Sequence, residues 1–195
     1  MATTRRHGAE LRASHNLFFA LWPDDELRER IAAAAAHLRE THAPRGRWIN
    51  PRRYHLTALF LGHHAVLPES LVAGALAAGD AARVAPFDFE LDVAGSFANR
   101  SIPWWLGCPA QVPGLLALRA ALHDGLRSAG VSVREETAHV AHVTILRDAD
   151  RNLPPTSIEP IAWAVRDFVL IDSAPNSPTG YEVLRRWSLV SPGAR

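Results

Sequence analysis

The pattern of apolar residues along this chain predicts an α+β fold with largely antiparallel sheets. Segments of helical periodicity follow strand-like segments irregularly, without the regular βαβ alternation that builds parallel sheets. Two of the strand-like segments carry nearly the same four residues, HLTA at 55–58 and HVTI at 142–145. The chain has 195 residues, of which 48% are hydrophobic and 21% charged. These values are ordinary for a soluble globular protein with one substantial domain or two small lobes.

The first half of the chain predicts two strands, each followed by a helix. In order, we expect a strand over 16–22, a helix over 24–40, a loop over 41–53, a strand over 54–61 and a helix over 68–82. Pro23 and Asp24 supply a turn and an N-cap for the first helix. Its apolar stripe consists of Leu27, Ile31, Ala34 and Leu38.

The second half is richer in strands. In order, we expect strands over 87–93 and 102–108, a helix over 113–130, a strand over 140–147, a loop over 148–157 and strands over 161–171 and 181–190. Pro113 can open the helix and Gly130 can end it. Both four-residue motifs lie on a strand that follows a helix, which suggests two related lobes within one domain over 16–195. Residues 1–15 lack the apolar core of a secretory signal and are interpreted as a flexible extension.

Composition excludes several kinds of chemistry. All 21 basic residues are arginines, so the chain has no lysine for a Schiff base, a lysyl-nucleotide intermediate or a P-loop. Cys108 is the single cysteine, without CxxC or Cys/His spacing around it, which indicates a reducing, cytoplasmic location. The longest apolar runs are shorter than the roughly 20 residues of a membrane helix, and a net charge of +1 is too balanced for a protein that tracks long nucleic acid.

The two repeated motifs are candidate parts of one phosphoryl-transfer site. In an extended strand, residues two apart share a face, so His55 lies beside Thr57 and His142 beside Thr144. If the strands face each other across a cleft, two imidazoles and two hydroxyls meet at one place. Such a site could transfer protons and bind phosphate oxygens without a metal.

Other interpretations of these histidines remain open. A histidine on a strand is often only a structural residue, and the chain has ten histidines. A metal hydrolase could use His55, His63, His64 and His142, although no carboxylate–histidine spacing supports it. An arginine cluster precedes the first motif and either attracts an anionic substrate or lies in a solvated loop: Arg45, Arg47, Arg52 and Arg53.

The chain resembles the two-histidine (2H) phosphoesterases, in particular bacterial RNA 2′,3′-cyclic phosphodiesterases, also called 2′-5′ RNA ligases. The resemblance begins near Asn16 and rests on LFFALWP, HLTALFLG, PWWLG, HVTILRDA and YEVLRRWSL. It implies a bilobal fold in which two antiparallel sheets with flanking helices surround a central cleft. It also implies hydrolysis of a ribose 2′,3′-cyclic phosphate to a 2′-phosphate without metal or cofactor, with reversible 2′-5′ ligation as a related activity.

The resemblance also assigns roles to individual residues. His142 would be the general base for water and His55 the general acid for the leaving 3′ oxygen. Thr57 and Thr144 would donate to phosphate oxygens. Arg147 matches a position that contacts the phosphate, although strict alternation puts it on the face opposite His142.

An aromatic residue is also expected to stack on the nucleobase. Phe18 or Phe19 on the first strand is the candidate, and Phe19 is our assignment. The parity of the strand decides between them. Trp48, Trp104 and Trp105 are alternatives.

The second motif departs from the family pattern, because Ala141 stands where a proline is common and His139 where an aromatic residue is common. Ala58, at the fourth position of the first motif, replaces a larger aliphatic residue. We expect a monomeric enzyme acting on RNA cyclic-phosphate ends or small nucleotides, with no membrane association. The alternative is a nucleotide- or RNA-end-binding protein without catalysis.

Overall fold

The computed structural model describes residues 15–98, 100–133, 140–173 and 180–191. Its strands are β1 (His15–Leu21), β2 (Arg47–Trp48), β3 (Leu56–His64), β4 (Phe87–Ser96), β5 (Trp104–Cys108), β6 (Ala141–Arg147), β7 (Thr156–Val165), β8 (Asp167–Ser173) and β9 (Glu182–Ser188). The α-helices are α1 (Asp25–His42), α2 (Glu69–Ala81) and α3 (Pro113–Ser128), and a short 3-10 helix spans Pro51–Arg53. The α+β class predicted from the sequence is confirmed.

The strands form one nine-stranded sheet in which every recorded pairing is antiparallel. The order is β7-β4-β5-β6-β3-β1-β8-β9, and β2 pairs with β6. The two antiparallel sheets that the family resemblance implied are the two four-stranded halves of this continuous sheet. They join between β3 and β6 through the residue pair Leu56 and Val143.

Helices cover the sheet and bury the main core. α2 packs on α3, α3 contacts β3, and α1 contacts β7. The carboxylate of Asp24 accepts the N–H of Leu27 at 2.8 Å, which confirms the predicted cap. The buried stripe of α1 contains Ala35 in place of the expected Ala34.

Two parts of the sequence prediction differ from the structure. The predicted strand over 161–171 is two strands, β7 and β8, separated by Arg166. β7 pairs with β4, whereas β8 pairs with β1 and β9. The prediction missed the break because a continuous apolar run does not show where one strand ends and the next begins. The loop over 41–53 contains β2, whose Arg47 pairs with Arg147. Of the predicted extension 1–15, His15 begins β1 and the rest lies outside the described residues.

β5 and β6 approach closely beside the second motif. Gly107 on β5 lies opposite His142. A Cβ atom on Gly107 would come within 2.6 Å of the backbone oxygen of Ala141. The close strand contact therefore requires glycine at this position.

Replacing Gly107 by alanine should reduce the free energy of unfolding by about 1–3 kcal/mol, the usual cost of overpacking. Urea denaturation of Gly107→Ala and of Cys108→Ala, a truncation at the next residue of the same strand, measures this. An unchanged or raised midpoint for Gly107→Ala would contradict the close approach of the two strands.

Candidate active site

The two motifs lie on neighbouring strands on one side of the sheet. Leu56 pairs directly with Val143, and antiparallel register therefore sets His55 beside Thr144 and Thr57 beside His142. All four side chains are half-buried, whereas Leu56 and Val143 are fully buried in the main core. The sequence prediction that the motifs share one site agrees with this arrangement, although their strands adjoin and do not form opposite walls.

Both histidines are held in the same way. The Nδ1–H of His55 donates to the carbonyl of Arg53 at 2.8 Å. The Nδ1–H of His142 donates to the carbonyl of Val140 at 2.7 Å. In each case the acceptor is two residues before the histidine. A carbonyl can only accept, so these bonds place the proton of each neutral ring on Nδ1 and leave Nε2 with a lone pair for proton transfer.

A β-bulge explains the position of Arg147. Trp104 pairs with Leu146 and Trp105 with Thr144, so Ile145 is an extra residue on β6. Ile145 and Leu146 are both buried, and Arg147 is exposed again. The extra residue reverses the alternation and brings Arg147 to the side of His142, five residues earlier, against the expectation of strict alternation.

The first motif has a matching bulge. Phe19 pairs with Leu59 and Ala20 with Thr57, so β1 skips Ala58. Ala58 and Leu59 are both buried, and Phe60 is half-buried. In both motifs the irregularity therefore falls on the fourth residue.

The electrostatic environment of His55 favours an anion. Burial lowers the pKa of His55 from 6.5 to about 4, and the guanidiniums of Arg147 and Arg53, together with His142 when it is protonated, contribute to the lowering. The bond to the Arg53 carbonyl acts in the opposite direction. The ligand-free imidazole is neutral at pH 7, in a positive field suited to a phosphate group.

Aromatic rings surround His55. Its ring centroid lies 5.0 Å from that of Phe18, 5.2 Å from that of Tyr181 and 6.4 Å from that of Trp22. The guanidinium of Arg53 lies 4.5 Å from the Tyr181 ring centroid. Phe18 and Trp22 belong to a small apolar cluster on this side of β1.

The assignment of Phe19 to the substrate is wrong. Phe18 lies on the side of His55 but is itself only 4% exposed, and the half-buried rings on that side are Trp22 and Tyr181. Phe19 is fully buried and contacts Phe168 and Trp187 in the main core. Adjacent strand residues point to opposite faces, and the face of Phe19 is the one covered by helices.

His142 has a separate pair of aromatic neighbours. Its ring centroid lies 4.9 Å from that of Phe97 and 6.4 Å from that of Trp105. Trp104, by contrast, is fully buried, and its indole N–H donates to the Arg151 carbonyl at 2.9 Å. Of the three tryptophans considered from the sequence, Trp105 is the one that contacts His142; Trp48 contacts Arg39.

Several residues that the sequence suggested for this site lie elsewhere or have other partners. His63 is exposed and bonds Asn16, and His64 ends β3. Burial raises the pKa of the Cys108 thiol. Within the described ranges no group of three or more His, Cys, Asp or Glu residues is arranged to hold a metal ion. His139 lies outside the described residues.

Of the arginine cluster before the first motif, Arg53 is bonded to His55 through its backbone carbonyl, and its charge acts on His55. The guanidinium of Arg47 binds Asp148 at 3.3 Å, and the backbone N–H of Arg45 binds Asp150 at 3.0 Å. Arg52 is exposed on the 3-10 helix. The cluster is therefore divided between the site and the surface.

Sequence reasoning missed Trp22, Phe97 and Tyr181 as neighbours of the histidines. Trp22 could have been found, because it is two positions from Ala20 and four from Phe18 on the same face. Phe97 lies just after β4 and Tyr181 just before β9. Tyr181 begins the strand predicted over 181–190, but no local pattern shows that this end of the strand lies beside His55.

Comparison with known protein families finds a phosphoesterase model over the part of the chain that contains the first motif. A family model described as LigT like Phosphoesterase matches residues 21–105. No curated protein matches the chain. No helix of the described residues is long and apolar enough to span a membrane.

Solved structures match nearly the whole chain. Escherichia coli LigT in its apo form is 33% identical over 92% of this chain and 99% of that one, with a TM-score of 0.70. The same protein complexed with 3′-AMP is 33% identical over 90% of this chain and 98% of that one, also with a TM-score of 0.70. The protein TT0787 of Thermus thermophilus is 29% identical over 90% of this chain and 98% of that one, with a TM-score of 0.70. The chain therefore belongs to the LigT-like family of 2H phosphoesterases.

Proposed function

We propose that this protein hydrolyses ribose 2′,3′-cyclic phosphates, at RNA ends or in small nucleotides, to 2′-phosphates without a metal or cofactor. The observation that carries the proposal is the matched tethering of His55 and His142 by Nδ1 to a carbonyl, each beside a threonine of the other strand. Two imidazoles that direct Nε2 to one phosphate can act as base and acid in a single displacement.

In the proposed reaction, neutral His142 accepts a proton through Nε2 from a water molecule that attacks phosphorus. The bond between phosphorus and the 3′ oxygen breaks, and His55 donates a proton through Nε2 to that oxygen. The phosphate stays on the 2′ oxygen. The hydroxyls of Thr57 and Thr144 donate to the non-bridging oxygens, where negative charge increases in the transition state.

His55 has to gain its proton when the substrate binds, because its ligand-free pKa is about 4. A cyclic phosphate carries a negative charge, and a negative charge next to an imidazole stabilises the imidazolium. Arg147 and Arg53 lower the pKa of His55 in the ligand-free site, and the same anion would neutralise their charges.

The aromatic residues and the relatives support a nucleotide substrate. Tyr181 and Trp22 offer half-buried rings beside His55 on which an unpaired base could stack, whereas Phe18 is only 4% exposed. E. coli LigT has been crystallised with 3′-AMP and with phosphate. The same displacement with a ribose 5′-hydroxyl in place of water, in which the bond to the 3′ oxygen again breaks, would join a 2′-5′ linkage, and we propose this as a secondary activity. We further propose that residues 16–195 act as one monomeric, cytoplasmic unit.

His55→Ala and His142→Ala should each lower kcat/KM for a 2′,3′-cyclic nucleotide by about 10²–10⁴-fold, because each removes a proton-transfer group. Activity is measured in EDTA, and the product is identified as 2′- or 3′-phosphate. His63→Ala, an exposed histidine on the same strand as the first motif, is the control. Wild-type turnover by folded His142→Ala would contradict the mechanism, and nucleotide binding without turnover by the wild type would indicate a binding protein.

Inorganic phosphate should raise the pKa of His55 by at least about one unit, because it cancels the positive field of the site. NMR titration of the imidazole with and without phosphate measures this, with His63 as the internal control. Without ligand, the pKa of His55 is about 6.5 in the unfolded chain and about 4 in the folded chain. Between these two pH values, the unfolded chain therefore binds a proton at His55 and the folded chain does not. Stability should therefore fall as pH falls through this window, by at most about 3 kcal/mol. A His55 pKa that phosphate leaves unchanged would place the anion elsewhere.

Arg147→Met should lower kcat/KM about 10-fold, since a hydrogen bond to a charged group contributes about 1.5–3 kcal/mol when well formed and Arg147 is exposed. Arg47→Met is the matched control. Arg47 is the residue that pairs with Arg147 on the neighbouring strand, but its guanidinium binds Asp148. Equal losses in the two variants would show that Arg147 acts only through general charge.

A further inference from the structure

Arg119 on α3 is a buried charged residue outside the set of groups used by the proposed mechanism. Only 7% of it is exposed, and its neighbours along the helix, Leu115, Leu118 and Leu122, are buried. Charged residues are rarely buried to this extent unless they have specific partners. One partner of its guanidinium is a backbone atom of the first motif.

Nη1 of Arg119 donates to the carbonyl of Ala58 at 2.5 Å. Ala58 is the bulge residue of β3, which β1 skips between Thr57 and Leu59. The recorded contact of β3 with β6 is at Leu56, so Ala58 has no register partner on either neighbouring strand. The guanidinium therefore donates to a carbonyl at the point where the register of the two strands is interrupted.

In the second motif, a backbone N–H binds the equivalent carbonyl. Ile145, its fourth residue and its bulge, accepts a hydrogen bond from the backbone N–H of Ile49 at 2.9 Å. In both motifs, therefore, the carbonyl that directly follows the catalytic threonine is held by a donor from another segment. A backbone group does this in one motif and a buried arginine does it in the other.

We propose that Arg119 is a positioning residue that fixes the bulge at Ala58 and, through it, the direction of the Thr57 hydroxyl. The bulge sets which side chains of β3 reach the reaction side, and Thr57 is the residue immediately before it. The small side chain of Ala58 is also buried on the helix side, where the guanidinium approaches. The role assigned to Arg119 rests on the proposed function only in taking Thr57 as a phosphate donor.

A double-mutant cycle between Arg119 and Thr57 tests the proposal. Arg119→Met should lower kcat/KM about 10–100-fold, mainly in kcat, since a donor aimed at developing charge is displaced. Thr57→Val should then cause little further loss in the Arg119→Met background, because its hydroxyl is already misplaced. Thr144→Val should cost the same factor in both backgrounds. Arg127→Met, an exposed arginine on the same helix, should leave kinetics unchanged.

The same cycle is measured with affinity for inorganic phosphate, which does not require turnover. Absence of hydrolysis by the wild type, with the phosphate cycle intact, would reject the proposed function and retain the role of Arg119. Additive effects of Arg119→Met and Thr57→Val in both measurements would overturn it, as would a loss of stability with unchanged kinetics. If Arg119→Met does not fold, Arg119→Lys, which keeps a charged donor on a shorter and non-planar head group, is used in the same cycle with the same criteria.

Discussion

The pairing of Leu56 with Val143 is the contact on which the site depends. It joins the two halves of the sheet, and it sets each histidine beside the threonine of the other motif. Both residues are fully buried, so the free energy that fixes the junction comes from the main core and not from the reactive side chains. The histidines and threonines can therefore stay half-buried.

The junction also explains why the motifs look alike. Antiparallel strands that meet at one pair present equivalent surroundings to residues on either side of it. His55 and His142 use the same bond from Nδ1 to the carbonyl two residues earlier, and each motif has a bulge at its fourth residue. Beyond the junction the halves differ. His55 lies among Phe18, Trp22 and Tyr181, and His142 beside Phe97 and Trp105, which allows two chemically identical groups to have different roles.

The positive field at His55 links binding to protonation. Burial and nearby guanidiniums depress the pKa of His55, so its imidazole is neutral at neutral pH when no ligand is bound. An anion that enters reverses this balance. In such a site the substrate itself would activate its general acid, and a neutral ligand of the same shape would not.

The sequence by itself determined the two histidine–threonine motifs and much of the local structure. The alternation of side chains in HLTA and HVTI was enough to place a histidine and a threonine on one face of each strand, and the cap at Asp24 and the start of α3 at Pro113 followed from local rules. Only the tertiary structure decided the details that depend on register. The bulge at Ile145 brings Arg147 to the face of the sheet that carries His142. The helices that cover the other face of β1 bury Phe19, while Phe18 packs beside His55. The bond from Arg119 to Ala58 also joins residues far apart in the chain. The physical reason is that periodicity gives the relative direction of neighbouring side chains, whereas an inserted residue or a burial side is fixed by contacts between distant segments.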